Sequence, residues 1–423
     1  RVVGLAPSQV AAEVLAEEGL SSANVAAWLG AQRRLSTPGR PVADSDERWR
    51  LREGDLVVVD EAGMTSTRDL VEVHRRASAA GAKVLLVGDP RQLAAHGPGG
   101  ALADVAAHGI RYELAEVRRF AAEWERAASL RLRDGDQAVL DEYAKHGRLV
   151  DAGTAEQAEA GAARAWLADT LAGRESLLLV GSNEAAARTC AALRAELVAL
   201  GRVAEHGVAL AAQGTVAGVG DRVQARRNGW DLVGRDGNTR APINRETYTV
   251  TGTAADGGLR VVDAAGVPIA LPAGYVRDHL ALAYASTVHA AQGRTVETAH
   301  AILASFSDAL AAYVALTRGR LRNTAHVITR ALAADAETGQ THEVRPRTAR
   351  AVLTDVLASA TEKGADLTAT ALAEQHAEAA RSVQVALDRL AAEVAEVTAG
   401  RVGAELDRLT AAGVLRPDDR AAL

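Results

Sequence analysis

Two adjacent carboxylates, Asp60 and Glu61, directly follow the apolar run Leu56-Val57-Val58-Val59. Such a run between helical segments predicts a buried parallel strand, and ligands of open α/β folds bind at the carboxyl ends of these strands. In a nucleotide-hydrolysing site the first carboxylate would anchor Mg²⁺, and the second would orient and deprotonate the attacking water. Taken alone, the pair is equally well explained as a strand end followed by a helix N-cap.

An acid and an amide follow the next apolar run along the chain. Val84-Leu85-Leu86-Val87 leads into a Gly-Asp-Pro turn that contains Asp89, and Gln92 stands just beyond it. If the two strands are neighbours, the Gln92 amide is placed to contact a γ-phosphate. A turn and a loop would account for the glycine and proline, but not for a second strand that ends in polar side chains.

Two later segments complete the set of polar positions. Residues 284–295 form a polar, glycine-containing turn, and Arg318 follows a helical run that begins near Tyr313. A guanidinium that arrives from a second domain neutralises transition-state charge, a contribution on the order of 10³–10⁵ in the rate of phosphoryl transfer. One arginine near a helix end is normally a solvated charge. The hypothesis for Arg318 therefore depends on its occurring together with the other polar segments, in this order along the chain.

The elements that must hold these residues alternate between strands and helices, which predicts parallel sheets covered on both faces. Between residues 206 and 276 short β-rich runs with turn signals predict a small antiparallel barrel, inserted into the second α/β domain. The Ala-rich tail from about residue 347 is predicted to be an amphipathic helix or a short coiled coil. Strands are predicted at 2–6, 56–60, 83–87 and 177–180, and helices at 8–18 with Ser8 as N-cap, 24–35, 66–80 and 121–150.

Composition limits the alternatives. The net charge of −6 provides no general attraction to nucleic acid, so any DNA contact must come from a local groove. One cysteine, Cys190, excludes an internal disulfide and is predicted to be a buried small residue in a protein of a reducing compartment, the cytoplasm. No apolar run is long enough to span a membrane. Because the chain opens at Arg1 in mid-strand, we expect it to be a fragment of a larger protein.

In this order and spacing the motifs resemble those of RecD-like superfamily 1 DNA helicases. The residues within the motifs are most similar to those in the helicase part of conjugative relaxases of the TraI/TrwC type. The resemblance covers about residues 1–330. It implies an α/β fold with two RecA-like parallel-sheet domains, an inserted SH3-like barrel and a helical tail. It also implies ATP and Mg²⁺ as cofactors, single-stranded DNA as a partner, and stepping in the 5′ to 3′ direction.

The resemblance also implies roles for individual residues. Glu61, Gln92, Arg119 and Arg318 would be catalytic, with Arg118 as a rival to Arg119, and Asp60 would hold the metal. Nucleotide contacts are implied for Asp60, Asp89, Gln292 and Gly293. Contacts to DNA are implied for Pro7, Ser8, His96, Thr287 and His289. The implied domains are 1–120 (incomplete first RecA-like domain), 121–205 and 280–330 (second RecA-like domain), 206–279 (barrel) and 331–423 (tail).

One departure from the family pattern affects function. Its phosphate loop, Gly-x-x-x-x-Gly-Lys-Ser/Thr, is absent, because none of the three lysines (Lys83, Lys145, Lys363) follows a glycine or precedes Ser or Thr. We interpret this as truncation, so that the loop and a relaxase nuclease domain lie upstream in the parent protein and the isolated chain is inactive. Two alternatives stay open. One is an ATP-blind module that binds single-stranded DNA or the transfer machinery, and the other is a DNA repair helicase.

Overall fold

The computed structural model describes residues 1–37, 39, 42–90, 92, 101–114, 116–330, 347–363 and 406–412. The chain divides into two units, Arg1–Ala365 and Asp366–Leu423. Of the second unit only the segment 406–412 is described, and it is helical to residue 411. Residues 364–405 of the tail, which is predicted to be an amphipathic helix or a short coiled coil, lie outside the described residues. None of the described helices is both long and apolar enough to cross a bilayer.

The first lobe contains a parallel sheet with the strand order β2-β1-β3-β4. Val3, Leu5, Val57 and Val59 are fully buried between this sheet and its helices. The strands are β1 Val2–Ala6, β2 Ser21–Asn24, β3 Leu56–Val59 and β4 Lys83–Leu86, and the helices are α1 Gln9–Glu17, α2 Val25–Leu35, α3 Asp44–Glu47, α4 Thr67–Ala79 and α5 Ala101–His108.

Side-chain caps begin three of these helices, and the cap at Ser8 is the one that the sequence pattern predicts. Ser8, Asn24 and Ser66 each accept a hydrogen bond from the backbone N–H three residues further on, at the start of α1, α2 and α4. Such a cap satisfies one of the four N–H groups that a helix leaves without a partner in its first turn. Each cap follows a strand or a short turn, so it also defines the residue at which the next helix begins.

The second lobe is a five-stranded parallel sheet with the order β14-β6-β15-β16-β5. Its helices pack on both faces, and the helix α12 buries Val352, Leu353 and Val356 against one of them. The strands are β5 Leu149–Asp151, β6 Ser176–Val180, β14 Ser286–Thr287, β15 Val296–Leu303 and β16 Gly319–Val327, and the helices are α6 Glu123–Arg133, α7 Val139–Lys145, α8 Ala155–Leu171, α9 Asn183–Ala199, α11 Ala309–Ala315 and α12 Ala349–Lys363.

An antiparallel sheet with the order β12-β11-β10-β9-β13 is inserted between α9 and β14. Its inner face shares one apolar core with α9 and β6, where Cys190 is buried as predicted. This core attaches the inserted sheet to the second lobe. The strands are β7 Val208–Leu210, β8 Thr215–Ala217, β9 Arg222–Ala225, β10 Thr247–Thr253, β11 Leu259–Val262, β12 Pro268–Leu271 and β13 Leu280–Leu282, with β7 and β8 as a separate pair and the helix α10 Ala273–His279 before β13.

The predicted fold class, two parallel-sheet cores with an inserted β-rich segment, is confirmed, but two details of the prediction are wrong. The parallel pattern resumes at β14 rather than at residue 280, because β13 pairs with β9 of the inserted sheet. Residues 149–151 are a strand rather than helix, because β5 pairs with β16. Both short strands owe their conformation to partners that are distant in sequence, which local patterns do not reveal.

A buried chain of imidazoles lies between α8 and the second sheet. His300 Nε2 is 2.9 Å from Asp169 Oδ2, and His326 Nε2 is 3.4 Å from His300 Nδ1. Burial, and to a smaller degree His300, lowers the pKa of His326 to about 4. Burial also lowers the pKa of His300, although Asp169 acts in the opposite direction and Arg322 reinforces the decrease. Both histidines are therefore neutral at pH 7.

We expect the two buried histidines to make the folding stability of the protein depend on pH. An unfolded histidine titrates near pH ~6.5, so the unfolded state binds the proton more tightly than the folded state. The stabilisation is complete above that pH and is lost as the pH falls toward the folded value of about 4. Between pH 7 and pH 4.5 the loss amounts to roughly 2.5 kcal/mol of unfolding free energy. Urea unfolding at pH 7 and pH 4.5 measures it, and His326→Gln, which keeps a donor toward His300, should show a clearly smaller change. An equal pH dependence in both proteins would contradict this assignment.

Candidate active site

The first lobe contributes two carboxylates at the carboxyl end of β3. Glu61 has φ 47° and ψ 41°, a left-handed conformation that non-glycine residues seldom adopt. It is held there by the neighbouring strand, because the N–H of Ala62 donates to the carbonyl of Val87 at 2.9 Å. Strained residues of this kind cluster at functional sites, where surrounding structure holds them in place. The chain therefore places Asp60 and Glu61 at this edge of the sheet in a defined turn.

The turn after β4 lies directly against the turn after β3. A side chain at Gly88 would bring its Cβ to 3.2 Å from the backbone nitrogen of Ala62 and 3.1 Å from Leu102 Cδ2. Only glycine allows this approach without displacing a neighbour. The two polar turns that the sequence pattern predicts at the strand ends are thus in direct contact, and Asp89 follows the point of closest approach.

The second lobe reaches Glu61 through the turn that follows β14. The Gln292 side chain lies beside the Glu61 carboxylate and acts to lower its pKa. The amide oxygen of Gln292 is buried and, within the described residues, has no hydrogen-bond partner. A buried amide oxygen without a partner is costly and is common where a ligand or water completes the site. Glu61 and Gln292 thus connect the two lobes at one point.

Two guanidinium groups approach the same carboxylate. Arg318 is 1% exposed and donates to the carbonyls of Val314 at 2.9 Å and Arg294 at 3.5 Å. Arg119 Nη1 donates to the carbonyl of Thr317 at 2.7 Å, next to Arg318 in sequence. Backbone carbonyls therefore hold both groups in position, and neither forms an ion pair with a carboxylate of the described residues.

The charges of this cluster influence one another. Burial and the neighbouring Asp60 raise the pKa of Glu61, while Arg318, Gln292 and Arg119 act in the opposite direction. Burial, followed by repulsion from Arg119, lowers the pKa of Arg318 to about 10. Burial also lowers the pKa of Arg119. A carboxylate with a raised pKa is a better proton acceptor at neutral pH, and two buried cations beside it suit a highly charged anionic ligand.

Tyr313 joins this cluster, and no role follows for it from the sequence pattern. Its hydroxyl donates to Asp89 Oδ2 at 3.4 Å, so a residue of α11 in the second lobe contacts the turn after β4. The same Asp89 oxygen accepts a longer bond, 3.5 Å, from the Gln92 amide, whose oxygen is buried without a partner in the described part of the chain. The only sequence signal was the position of Tyr313 five residues before Arg318.

The structure brings Asp60, Glu61, Asp89, Gln92, Arg119, Gln292 and Arg318 close together where the two lobes meet, a region that we call the cleft. Gly293 follows Gln292 in the same turn. Of the two rival arginines, Arg119 faces the cleft, whereas Arg118 is exposed and pairs with Glu116. Among the predicted DNA contacts, Pro7 and Ser8 lie between β1 and α1, Thr287 and His289 lie at the end of β14, and His96 lies outside the described residues.

Comparison with known proteins identifies similar chains. Residues 1–154 match the family model described as an AAA domain. The chain is 29% identical over 340 residues to a probable conjugal transfer protein TraA of Sinorhizobium fredii, covering 76% of this chain and 28% of the relative. It is 28% identical over 306 residues to the conjugal transfer protein TraA of Rhizobium radiobacter, covering 69% and 26%. The chain thus spans about a quarter of the length of these relatives.

Two solved structures to which this chain is similar are Pif1 helicases. A Pif1 helicase from Bacteroides in complex with ADP-AlF3 and single-stranded DNA is 16% identical, with a TM-score of 0.48, over 86% of this chain and 88% of that chain. The Pif1 helicase from Candida albicans is 13% identical, with a TM-score of 0.46, over 85% and 95%.

Proposed function

We propose that this chain is the main part of an ATP-driven motor that moves along single-stranded DNA, 5′ to 3′, during conjugal DNA transfer. One observation carries the proposal: a carboxylate of the first lobe, Glu61, and two arginines, Arg119 and Arg318, meet at one cleft between the lobes. A nucleotide bound there would contact both lobes, so its hydrolysis would change how they fit together. The similarity to TraA proteins supports the link to conjugation.

The residues of the cleft divide the chemistry among them. Mg²⁺ and ATP, when bound, would supply the metal charge and the transferable phosphoryl group. Asp60 would hold the metal, and Glu61 would accept the proton of the attacking water. Gln92 would contact the γ-phosphate, and Arg119 and Arg318 would neutralise the charge that develops on it. The buried, unpaired amide oxygens of Gln92 and Gln292 fit a site that an incoming ligand or water completes.

The cleft residues fit the reacting end of ATP, but the chain has no phosphate loop of the family pattern. We propose that this loop comes from polypeptide other than residues 1–423. Two features support this. Within the described residues β4 has a sheet neighbour only in β3, and Leu85 is 45% exposed. Ile110, Tyr112 and Leu114 alternate along the chain and are about 90% exposed, which is typical of a strand without its partner.

DNA would cross the face formed by the turn before α1, the turn after β14 and the inserted sheet. Pro7, Ser8, Thr287 and His289 are the proposed contacts, together with His96. The first lobe and the inserted sheet approach each other on this side, because Arg240 lies 3.9 Å from Glu13 of α1. Contacts to phosphates rather than to bases would allow movement along any sequence.

The test compares residues 1–423 with the full-length product of the gene. We expect background ATP hydrolysis from the isolated chain, because it lacks a phosphate loop, and hydrolysis by the full-length product that oligo-dT stimulates. Streptavidin should be displaced faster from a 3′-biotinylated oligonucleotide than from a 5′-biotinylated one, as 5′ to 3′ movement requires. A full-length product without DNA-stimulated ATPase activity would contradict the proposal.

The absence of a phosphate loop also favours a second function, an ATP-blind module that binds single-stranded DNA or the transfer machinery. Oligonucleotide binding by the full-length product, with no ATP hydrolysis under any condition, would select this function. A DNA repair helicase is the third interpretation. Strand nicking by the same full-length product would favour conjugal transfer over repair.

A further inference from the structure

The strand β9 carries a polar face that points away from the core of the inserted sheet. Val223 and Ala225 are fully buried on the inner face. The alternate positions are Arg222, Gln224 and, just past the end of the strand, Arg226. Because side chains alternate along a strand, these three share the other face. Arg222 and Gln224 line a narrow cleft with Ser286 and Arg294, beside the turn after β14.

This polar face continues into a wider cavity of about 480 Å³. Arg226 and Gln224 line it on one side, and Thr287 and the start of α9 line it on the other. Arg226 Nη2 donates to Asn183 Oδ1 at 3.3 Å, at the first residue of α9. This end of a 17-residue helix carries a partial positive charge, which adds to that of the arginine.

Two more arginines face the same region. Arg245 Nη1 donates to the carbonyl of His289 at 3.1 Å, and burial together with the charge of Arg226 lowers the pKa of Arg245. Burial together with Arg222 lowers the pKa of Arg294, while Glu175 acts weakly in the opposite direction. Arg222, Arg226, Arg245 and Arg294, which we call the arginine strip, thus repel one another across the junction of the inserted sheet and the second lobe.

The arginine strip has no ion pairs with carboxylates in the described part of the chain, in contrast to other arginines of the same region. Arg194 lies 2.8 Å from Asp221, and Arg240 pairs with both Asp263 and Glu246. Burying a cation without a counterion is energetically unfavourable. Because the other arginines of this region are paired with carboxylates, the unpaired arginines of the strip indicate a site for an anionic ligand.

Two carboxylates, Asp278 and Glu184, also line this cavity, and in the described part of the chain neither pairs with an arginine of the strip. Asp278 pairs with Arg277 at 2.8 Å. Glu184 bonds its own backbone N–H and the Ser182 hydroxyl, which lowers its pKa. The Ser286 hydroxyl is buried and has no partner among the described residues, and Ser286 also lines the wider cavity.

We propose that the arginine strip, with the Ser286 hydroxyl, binds consecutive phosphates of single-stranded DNA along the inserted sheet. The inference rests on the proposed function and extends it by assigning to the inserted sheet a wall of the DNA groove. The negative net charge of the chain makes such a local strip necessary for DNA binding.

The strip and the active site share one turn. Gln292 contacts Glu61, and the carbonyl of Arg294 accepts a hydrogen bond from Arg318 at 3.5 Å, while the Arg294 side chain belongs to the strip. DNA held by the strip therefore acts on the turn that positions Gln292 and Arg318. This gives a direct physical route by which DNA binding stimulates hydrolysis.

The experiment measures binding of a fluorescein-labelled dT oligonucleotide to residues 1–423 by anisotropy, from 50 to 300 mM NaCl. The double variant Arg222→Gln/Arg226→Gln removes two strip charges, and Arg260→Gln removes an exposed arginine of β11 that lines neither cavity. We expect the double variant to bind at least ~10-fold more weakly at 100 mM NaCl. Its slope of log affinity against log salt should fall by about 1.4, or ~0.7 for each lost phosphate contact. Arg260→Gln should leave affinity and slope near those of the unsubstituted chain.

Thermal unfolding separates a binding role from a structural one. Because the strip arginines repel one another, the double variant should unfold at the same temperature or higher without DNA, whereas loss of structural arginines would lower it. The unsubstituted chain could bind DNA while the double variant binds it as tightly as Arg260→Gln does. This result would contradict the strip as a DNA-binding site and leave the proposed function intact. An unsubstituted chain that does not bind the oligonucleotide would contradict both.

Calorimetric titration with sodium pyrophosphate distinguishes DNA from free nucleotide phosphates. We expect no difference in pyrophosphate binding between the unsubstituted chain and the double variant. Loss of pyrophosphate binding with unchanged oligonucleotide binding would assign the strip to free phosphates and overturn DNA as its ligand.

Discussion

Replacing Glu61 by Gln in the full-length product is expected to reduce DNA-stimulated ATP hydrolysis by about 100-fold to 1,000-fold, with little change in the affinity for single-stranded DNA. Removal of a general base costs on the order of 10²–10⁴ in rate. Gln has nearly the shape of Glu but cannot accept the proton of the attacking water. Steady-state hydrolysis and oligonucleotide anisotropy measure the two effects. Unchanged turnover would refute Glu61 as the base.

The control is Glu53→Gln, which changes the same residue type before the other end of β3. Glu53 is exposed and lies outside the cleft, so hydrolysis should be unaffected. The pH profile adds a second readout. Because the base must be deprotonated and burial raises the pKa of Glu61, hydrolysis should decline, as pH falls, at a higher pH than for an ordinary carboxylate. The residual activity of Glu61→Gln should lack this decline.

Replacing Arg318 by Ala is expected to reduce hydrolysis about 1,000-fold or more. A guanidinium that reaches the transferring phosphoryl group from another domain contributes on the order of 10³–10⁵ in rate. Arg318→Lys should recover less than about 10-fold of this loss, because an ammonium group has the charge but not the planar fork that contacts two oxygens. Single-turnover hydrolysis at saturating ATP measures the chemical step separately from nucleotide binding.

Arg320→Gln is the matched control for Arg318. It removes an exposed arginine two residues further along, on β16, and should leave hydrolysis within about twofold. Arg318 is almost fully buried, so unfolding must be measured alongside. Arg318→Ala relieves the repulsion between Arg318 and Arg119, so we expect this protein to lose little stability and to fold. Full hydrolysis by a folded Arg318→Ala protein would remove this residue from the site.

The sequence by itself determined the features that depend on neighbours along the chain. The apolar strands before Asp60 and Asp89 and the cap at Ser8 form as predicted, because local sequence patterns and capping bonds involve residues only a few positions apart. The order of the polar turns also indicated that they belong to one site.

Tertiary structure alone decided which polar groups meet and which stay without a partner. Arg119 donates to the carbonyl of Thr317, 198 positions away, and Tyr313 reaches Asp89 across the cleft. The arginine strip exists only because β9 packs beside the turn after β14. Pairing between distant segments also produced β5 and β13, which local patterns did not indicate. Such contacts depend on how whole sheets and helices pack, and no short window of sequence contains that information.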